Sequence, residues 1–369
     1  MVIAAFNYAE YLPLAIESAL AQDHPRVEVI VVDDGSTDST PQVVARYVGR
    51  VRGIHIPNSG QLAAFGTGFR SSRGAMVIFL DADDVLLPGA ARAVSEAGSD
   101  PGVAKVHWPM PEIDAVGRPA GRVRPTEPLS SGDLTSQLCE LGPEGTAYPP
   151  TSGNAWRRTF LDEVLPGPVE EFRLAADQYL AVLAPFHGRV VALEEPLSLY
   201  RRHHRSIHSS AALSERARIT NEHYTHAARH LRAACEKRGM ECSWTTWEDR
   251  SWTRRLERSL YELDALLPPG ATVVLMDQDE WALPPGRPWT PVPIPSRDGA
   301  YWGLPPNGPD VVAELIARHE EGATYVVVSD SAFWWLDEFP EVATHLADRA
   351  NGLAANDRFL LFEFDRPTS

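Results

Sequence analysis

Cysteine is scarce in this chain: Cys139, Cys235 and Cys242 are the only three among 369 residues. They show no metal-ligand spacing and no even pairing, which points to a reducing compartment. Long apolar runs are missing too. No stretch approaches the ~20 residues that a transmembrane helix needs, and the N-terminus reads as a strand without the basic leader of a secretory signal. Positive charge is in the minority, with 34 Lys and Arg against 50 Asp and Glu. The resulting net charge of −16 argues against nucleic acid or an anionic membrane as the main partner. These absences predict a cytoplasmic protein, with peripheral contact at the inner face of a membrane left open. What is present, 44% hydrophobic and 23% charged residues, suits a globular chain of about two domains.

Met76-Val77-Ile78-Phe79-Leu80 runs straight into Asp81-Ala82-Asp83-Asp84. Gly74 before the run and Pro88-Gly89 after it suit a buried strand that carries its acids out at its C-terminal end, where sheets of this kind bind ligands. Three acids within four residues repel one another unless they share a cation, and a divalent metal bound through hard oxygens meets that need. A solvated Asp-rich turn is the other reading. Val27-Glu28-Val29-Ile30-Val31-Val32-Asp33-Asp34-Gly35-Ser36 has the same construction. Gly35 permits a tight turn, and Ser36 to Ser39 offer caps for a helix through Val43, Val44 and Tyr47. Two strands then deliver carboxylates to one edge, one pair suited to a base or ribose and the other to a diphosphate through the metal. That division implies a nucleotide-sugar site.

Taken together, Ala5-Phe6-Asn7-Tyr8 after a first strand, Val31-Val32-Asp33-Asp34-Gly35-Ser36, Asn58-Ser59-Gly60 and Leu80-Asp81-Ala82-Asp83-Asp84 resemble the ordered signatures of family 2 glycosyltransferases, over roughly the first 205 residues. The resemblance implies an α/β fold of the GT-A type, a Rossmann-like nucleotide-sugar-binding domain. It implies donor contacts from Ala5, Phe6, Asn7, Asp33, Asp34, Asn58, Asp81, Ala82 and Asp83, and a Mg²⁺ or Mn²⁺ ion on Asp83 and Asp84. The implied activity is inverting transfer of a sugar from a nucleotide-diphosphate sugar, UDP-sugars being favoured, to a carbohydrate, lipid-linked or other hydroxyl acceptor. Polysaccharide, glycolipid or glycoconjugate synthesis is the implied setting.

Further along, apolar spacing predicts helices over 11–22, 41–48, 61–73 and 88–98, and strands over 53–56 and 103–108. The family commonly has a basic residue and Asn where Phe65 and Gly66 stand, so Arg70 or Arg73 are considered as stand-ins for a phosphate-binding cation. Residues 112–128 read as a polar hairpin or loop. Asn154 and Trp156 lie where the family lines its acceptor side, although Trp156 equally suits a core. Asp177 occupies the place of the family's general base, and it also suits the cap of a helix running to Leu183. Tyr200-Arg201-Arg202-His203-His204 resembles the segment that closes the family's domain near the diphosphate. Arg201 and Arg202 suit phosphate, and His203 or His204 suits the metal, with Arg205 and His208 adding positive charge.

The expected domains are 1–210 for the transferase, 211–267 for a helical connector and 268–369 for a small α/β accessory domain. His223, His226 and His230 share a helical spacing in the connector, but without acidic partners nearby they suggest a metal only weakly. The accessory domain is expected to contain strands near 271–277, 325–329 and 359–364 and a helix over 309–321. Its Asp298–Gly303 and Phe333–Leu336 stretches set aromatics near loops, for carbohydrate, a partner or a core. A sugar-nucleotide pyrophosphorylase is disfavoured, because Ala5–Ala9 lacks the Gly-rich basic loop that such an enzyme needs. An inactive nucleotide-sugar-binding or scaffolding protein of the same fold is the remaining alternative.

Overall fold

Val2–Ala5 (β1), Ile30–Asp34 (β2), Arg52–Ile56 (β3) and Met76–Asp81 (β4) form a parallel array, β4-β1-β2-β3, in the computed structural model of the protein. The structure describes residues 1–203 and 213–365, apart from 279, 282, 284, 285, 298, 299, 302, 304 and 306. The Val, Ile and Leu of β1, β2 and β4 suit strands covered on both faces. Leu12–Leu20 (α1), Thr40–Ala45 (α2) and Gln61–Ser71 (α3) make the crossovers. The other strands of this part are Val85–Leu86 (β5), Val103–His107 (β6), Met110–Ile113 (β7), Pro119–Arg124 (β8), Asn154–Arg157 (β9), Arg189–Ala192 (β10) and Ser198–Arg201 (β11). Three of them extend the sheet to β10-β6-β9-β4-β1-β2-β3, with β9 antiparallel to both neighbours. The small sheet β5-β11-β7-β8 contains the expected hairpin, β7 with β8.

One core lies on each face of the large sheet. Leu12, Ile16, Ile3, Val31 and Leu80 belong to one; Val2, Phe65, Phe79, Trp156 and Leu180 belong to the other. The small residues of α3 serve the second. A Cβ at Gly68 would stand 2.2 Å from Val2 Cγ1, and Phe65 stacks on Phe79 with centroids 4.0 Å apart. Phe65 is therefore a core residue. Arg70 and Arg73 do not replace a cation at the carboxyl edge. With a rise of about 1.5 Å per residue, α3 carries them to the opposite edge, where they line a cavity of about 820 Å³ with Arg50, Arg52 and Ile30.

Ala90–Ala97 (α4), Thr135–Leu141 (α5), Arg158–Val164 (α6) and Ala176–Leu183 (α7) complete the described part up to residue 203. Leu213–Lys237 (α8) and Trp244–Arg250 (α9) follow, and residues 222–247 belong to the same compact unit as 1–203. The histidines of α8 do have an acidic partner, one distant in sequence. His226 Nδ1 lies 3.0 Å from the Glu171 carbonyl and His230 Nε2 lies 2.8 Å from Glu171 Oε2, so these two dock the helix instead of gathering around a metal. The three cysteines also depart from expectation: their sulfurs lie within 4.8 Å of one another. Sequence spacing could not show this, because the thiols come from separate elements.

The second unit comprises 248–365 together with 213–221. Trp252–Leu266 (α10) is separated from α9 by Ser251 in extended conformation. Thr272–Met276 (β12), Thr290–Pro293 (β13), Ser296–Arg297 (β14), Ala300–Tyr301 (β15), Gly308–Glu320 (α11), Tyr325–Ser329 (β16), Trp334–Glu338 (α12), Pro340–Arg349 (α13), Ala350–Ala355 (β17) and Phe359–Phe364 (β18) follow. Five strands form the sheet β13-β12-β16-β18-β17, and β14 pairs with β15. Trp281, Trp289 and Trp335 are buried in its cores, whereas Trp334 is exposed. Asp298, Gly299 and Trp302 lie outside the described residues, as do His204, Arg205 and His208.

Candidate functional site

The carboxyl ends of β1 and β2 are tied to each other by side chains from the motifs. Asn7 adopts φ 61°, and its Oδ1 accepts from the amides of Thr37 (2.8 Å) and Asp38 (3.2 Å), while its own amide donates to Ser36 Oγ at 2.9 Å. Asp33 accepts from the Ser36 amide and pairs with His55 Nδ1 at 2.8 Å. Asp34 takes the amides of Ser59 (2.7 Å) and Gly60 (2.8 Å). Burial raises its pKa, and these two amides oppose the rise. Gly35 is required here, because at φ 73° a Cβ would stand 2.5 Å from the Asn58 amide nitrogen. Asn58 Oδ1 accepts from Arg173 at 2.5 Å. Ala5 is buried; Phe6 beside it is exposed.

The acids after β4 sit in a more demanding setting. Asp81 Oδ1 accepts from Gln61 Nε2 at 3.1 Å, and burial, followed by the charges of Asp83 and Asp177, pushes its pKa up to about 8. Ala82 is buried. Asp84 is buried, with Oδ1 accepting the Arg201 amide at 2.8 Å and Oδ2 without a hydrogen-bond partner among the described residues. Burial and the neighbouring Asp83 and Asp81 raise its pKa well above the carboxylate range. Asp83 Oδ2 meets His203 Nε2 at 3.0 Å, and the His203 ring packs on Tyr11 with centroids 4.6 Å apart. Arg201 is occupied with main-chain carbonyls, those of Asp83 (2.8 Å), Asp114 (3.2 Å) and Ala115 (3.3 Å). Arg202 turns to the buried Glu112, 3.5 Å away.

Asp81, Asp83, Asp84, Arg201 and His203 thus share one corner. This donor set fits a hard divalent cation: carboxylate oxygens, one of them buried and unpartnered, held where their own charges repel. Among the described residues only the cysteines bring three ligand atoms within 4.8 Å. A Mg²⁺-like ion with one or two protein carboxylates takes its remaining ligands from phosphate and water, which this corner suits.

Asp177 lies in the first turn of α7, not at its cap; the cap is Ala175, in left-handed conformation at φ 55°. Burial raises the Asp177 pKa, against the Gln178 amide and the charge of Lys105. Lys105, on β6 and one of only two lysines in the chain, carries no motif signal in the sequence. It is 2% exposed, with Nζ 4.9 Å from the ring centroids of both Tyr148 and Trp156. Burial lowers its pKa to about 7, with Asp177 acting against that. Gln61 is the second unforeseen residue. Its amide reaches Asp81 and Thr151 Oγ1, and its Oε1 accepts from the Ala176 amide at 2.9 Å, which links β4 to the start of α7. Asn154 and Trp156 are buried and present no exposed face. The Asn154 amide donates to the carbonyls of Pro149, Pro150 and Thr151, and the Trp156 ring packs on Phe160.

A parallel sheet with helical crossovers and acids at its carboxyl edge defines a nucleotide-binding α/β protein. The sequence model for glycosyl transferase family 2 matches residues 1–126. An uncharacterized glycosyltransferase of Nostoc sp. is 36% identical over 216 residues, 58% of this chain and 67% of that protein. Succinoglycan biosynthesis protein ExoO of Rhizobium meliloti is 44% identical over 97 residues, 26% of this chain and 28% of that protein. The chain belongs to glycosyltransferase family 2, with the GT-A fold. Among solved structures, Staphylococcus aureus TarS 1–349 in complex with UDP-GlcNAc aligns with a TM-score of 0.46 and 16% identity, covering 72% of this chain and 79% of that one. Glucosyl-3-phosphoglycerate synthase from Mycobacterium tuberculosis, in complex with Mn²⁺, UDP and phosphoglyceric acid, aligns at 0.42 and 19%, covering 66% and 78%.

Proposed function

We propose that the chain is an active, metal-dependent glycosyltransferase that moves a sugar from a nucleotide-diphosphate sugar, a UDP-sugar in the first instance, to an acceptor hydroxyl with inversion. The observation that carries this reading is the buried Asp84, with one unpartnered oxygen, beside Asp81 and Asp83 at the ligand edge of the sheet. Mg²⁺ or Mn²⁺ held by Asp83 and Asp84 would offset the negative charge that collects on the departing diphosphate.

The protein's own groups do the rest. His203 fixes the orientation of Asp83, and the Arg201 amide fixes Asp84. Asn7, Asp33, Asp34 and Asn58 shape the loops that receive base and ribose. Asp177 takes the proton of the acceptor hydroxyl as its oxygen bonds to C1, while the C1–oxygen bond to phosphate breaks and its electron pair stays on the diphosphate. Burial raises the pKa of Asp177 and makes it a stronger base than an exposed carboxylate, and the Gln178 amide and the charge of Lys105 oppose that rise. Asn154 and Trp156 support the acceptor side from behind. The acceptor is a carbohydrate, lipid-linked or other hydroxyl compound in polysaccharide, glycolipid or glycoconjugate synthesis, met in the cytoplasm or at the membrane's inner face.

Two variants separate the roles. Asp84→Ala is expected to abolish metal-dependent donor binding, whereas Asp177→Asn keeps donor binding and loses transfer by about 10²-fold or more. Equal loss of donor binding in both would contradict these assignments. Full donor binding with no transfer by the wild type to any acceptor hydroxyl would favour a binding protein of the same fold.

A further inference from the structure

All three cysteines of the chain meet at one point of the first unit. Cys139 comes from α5, Cys235 from the last turn of α8 and Cys242 from the segment just after it. Every pair of their sulfurs lies within 4.8 Å, and Cys139 Sγ stands 2.8 Å from Cys235 Sγ. We infer that Cys139, Cys235 and Cys242 form a three-thiolate site for a soft d¹⁰ cation, Zn²⁺ in the first instance, separate from the donor machinery.

The backbone holds all three positions. The Cys139 carbonyl accepts from Trp247 Nε1 (2.9 Å) and from the Ser243 amide (3.3 Å). The Cys235 carbonyl accepts from the amides of Arg238 (2.9 Å) and Met240 (3.1 Å), with Gly239 at φ 66° turning the chain so that Cys242 comes back to the other two. A Zn–S bond of about 2.3 Å sets sulfurs around a tetrahedral ion about 3.8 Å apart, so the Cys139 and Cys235 sulfurs would separate by about 1 Å to admit it. Cys139 and Cys235 are buried and Cys242 is half-buried, which leaves one side open for water as the fourth ligand.

Chemistry and burial agree with that assignment. Buried cysteine often serves only as a small apolar residue, but such packing gives no reason for three thiols from separate elements to converge. Binding Zn²⁺ displaces up to three protons to solvent and leaves thiolates on the metal, so affinity increases with pH. The bound ion would fasten the end of α8 to α5.

The test uses the full chain, purified without added metal and with no chelating tag. Elemental analysis is expected to find about one zinc per chain, and Cys242→Ser is expected to lose it. Because that variant can fail to fold, the wild type is also stripped with a chelator and titrated with Co²⁺. The account predicts sulfur-to-cobalt charge-transfer absorption that saturates at one equivalent, bleaches on addition of Zn²⁺, and accompanies a return of the melting temperature lost on stripping. Three results would overturn it: no zinc and no cobalt spectrum from folded protein, a Cys139–Cys235 disulfide in the non-reduced mass spectrum, or thiols alkylated equally fast with and without Zn²⁺. Failure of donor binding would leave this outcome untouched, since none of the three cysteines takes part there.

Discussion

A buried lysine near a half-buried carboxylate is an expensive pair, and Lys105 with Asp177 gives the clearest consequence at the scale of single residues. Burial takes the Lys105 pKa from its ordinary 10.5 to about 7. The unfolded chain therefore binds a proton that the native chain releases between those two values, so this residue's contribution to stability rises with pH across that window. Below pH 7 the cost of the buried charge is fully present. Lys105→Met removes the charge and keeps most of the volume between Tyr148 and Trp156. Urea unfolding is expected to show wild type gaining on the variant by a few kcal/mol between pH 7 and pH 10; a constant difference would mean that Lys105 is solvated. In the same variant transfer is expected to fall while donor affinity stays, since Lys105 acts through Asp177. Gln61→Ala tests a neighbouring link. It leaves the Ala176 amide without its acceptor and is expected to cost about 1–3 kcal/mol, with transfer reduced more than donor binding.

At the scale of elements, close packing of α3 on β1 sets the position of Gln61 at one end of the helix. Gly68→Leu would drive a side chain into Val2. It is expected to destabilise the chain by about 1–3 kcal/mol or more, read as a lower urea midpoint with unchanged slope; an unchanged midpoint would contradict the packing described. Elements with a strong period were legible in the sequence. β4 and its acids, β16 and β18 match their expected limits closely, because β-branched runs are local signals. β17, with the sequence ANGLAA, has no such signal and is a strand only because β18 pairs with it. The site divides in the same way. The motifs mark loops whose acids and amides bind one another locally, as Asp34 does with Ser59 and Gly60. Lys105, Gln61 and the meeting of the cysteines depend on strands and helices distant in sequence, and composition carries no trace of them.

For the molecule as a whole, family membership, the acidic corner and Asp177 all belong to the first unit. None of the helices among the described residues is long and apolar enough to cross a membrane. The second unit has its own sheet and cores and supplies none of the residues assigned here to donor or acceptor. With a net charge of −16, encounter with an anionic donor relies on local charge, so metal dependence should be steep. Metal-dependent donor binding at Asp84 is best measured by a thermal-shift panel of UDP, GDP, dTDP and their sugars, each with and without Mn²⁺, on wild type and Asp84→Ala. A ligand that binds only the folded state raises the melting temperature by mass action. The account predicts a shift for one nucleotide, UDP in the first instance, that requires Mn²⁺ and is absent in Asp84→Ala. No shift with any nucleotide on folded wild-type protein, or a shift that persists in Asp84→Ala, would contradict it.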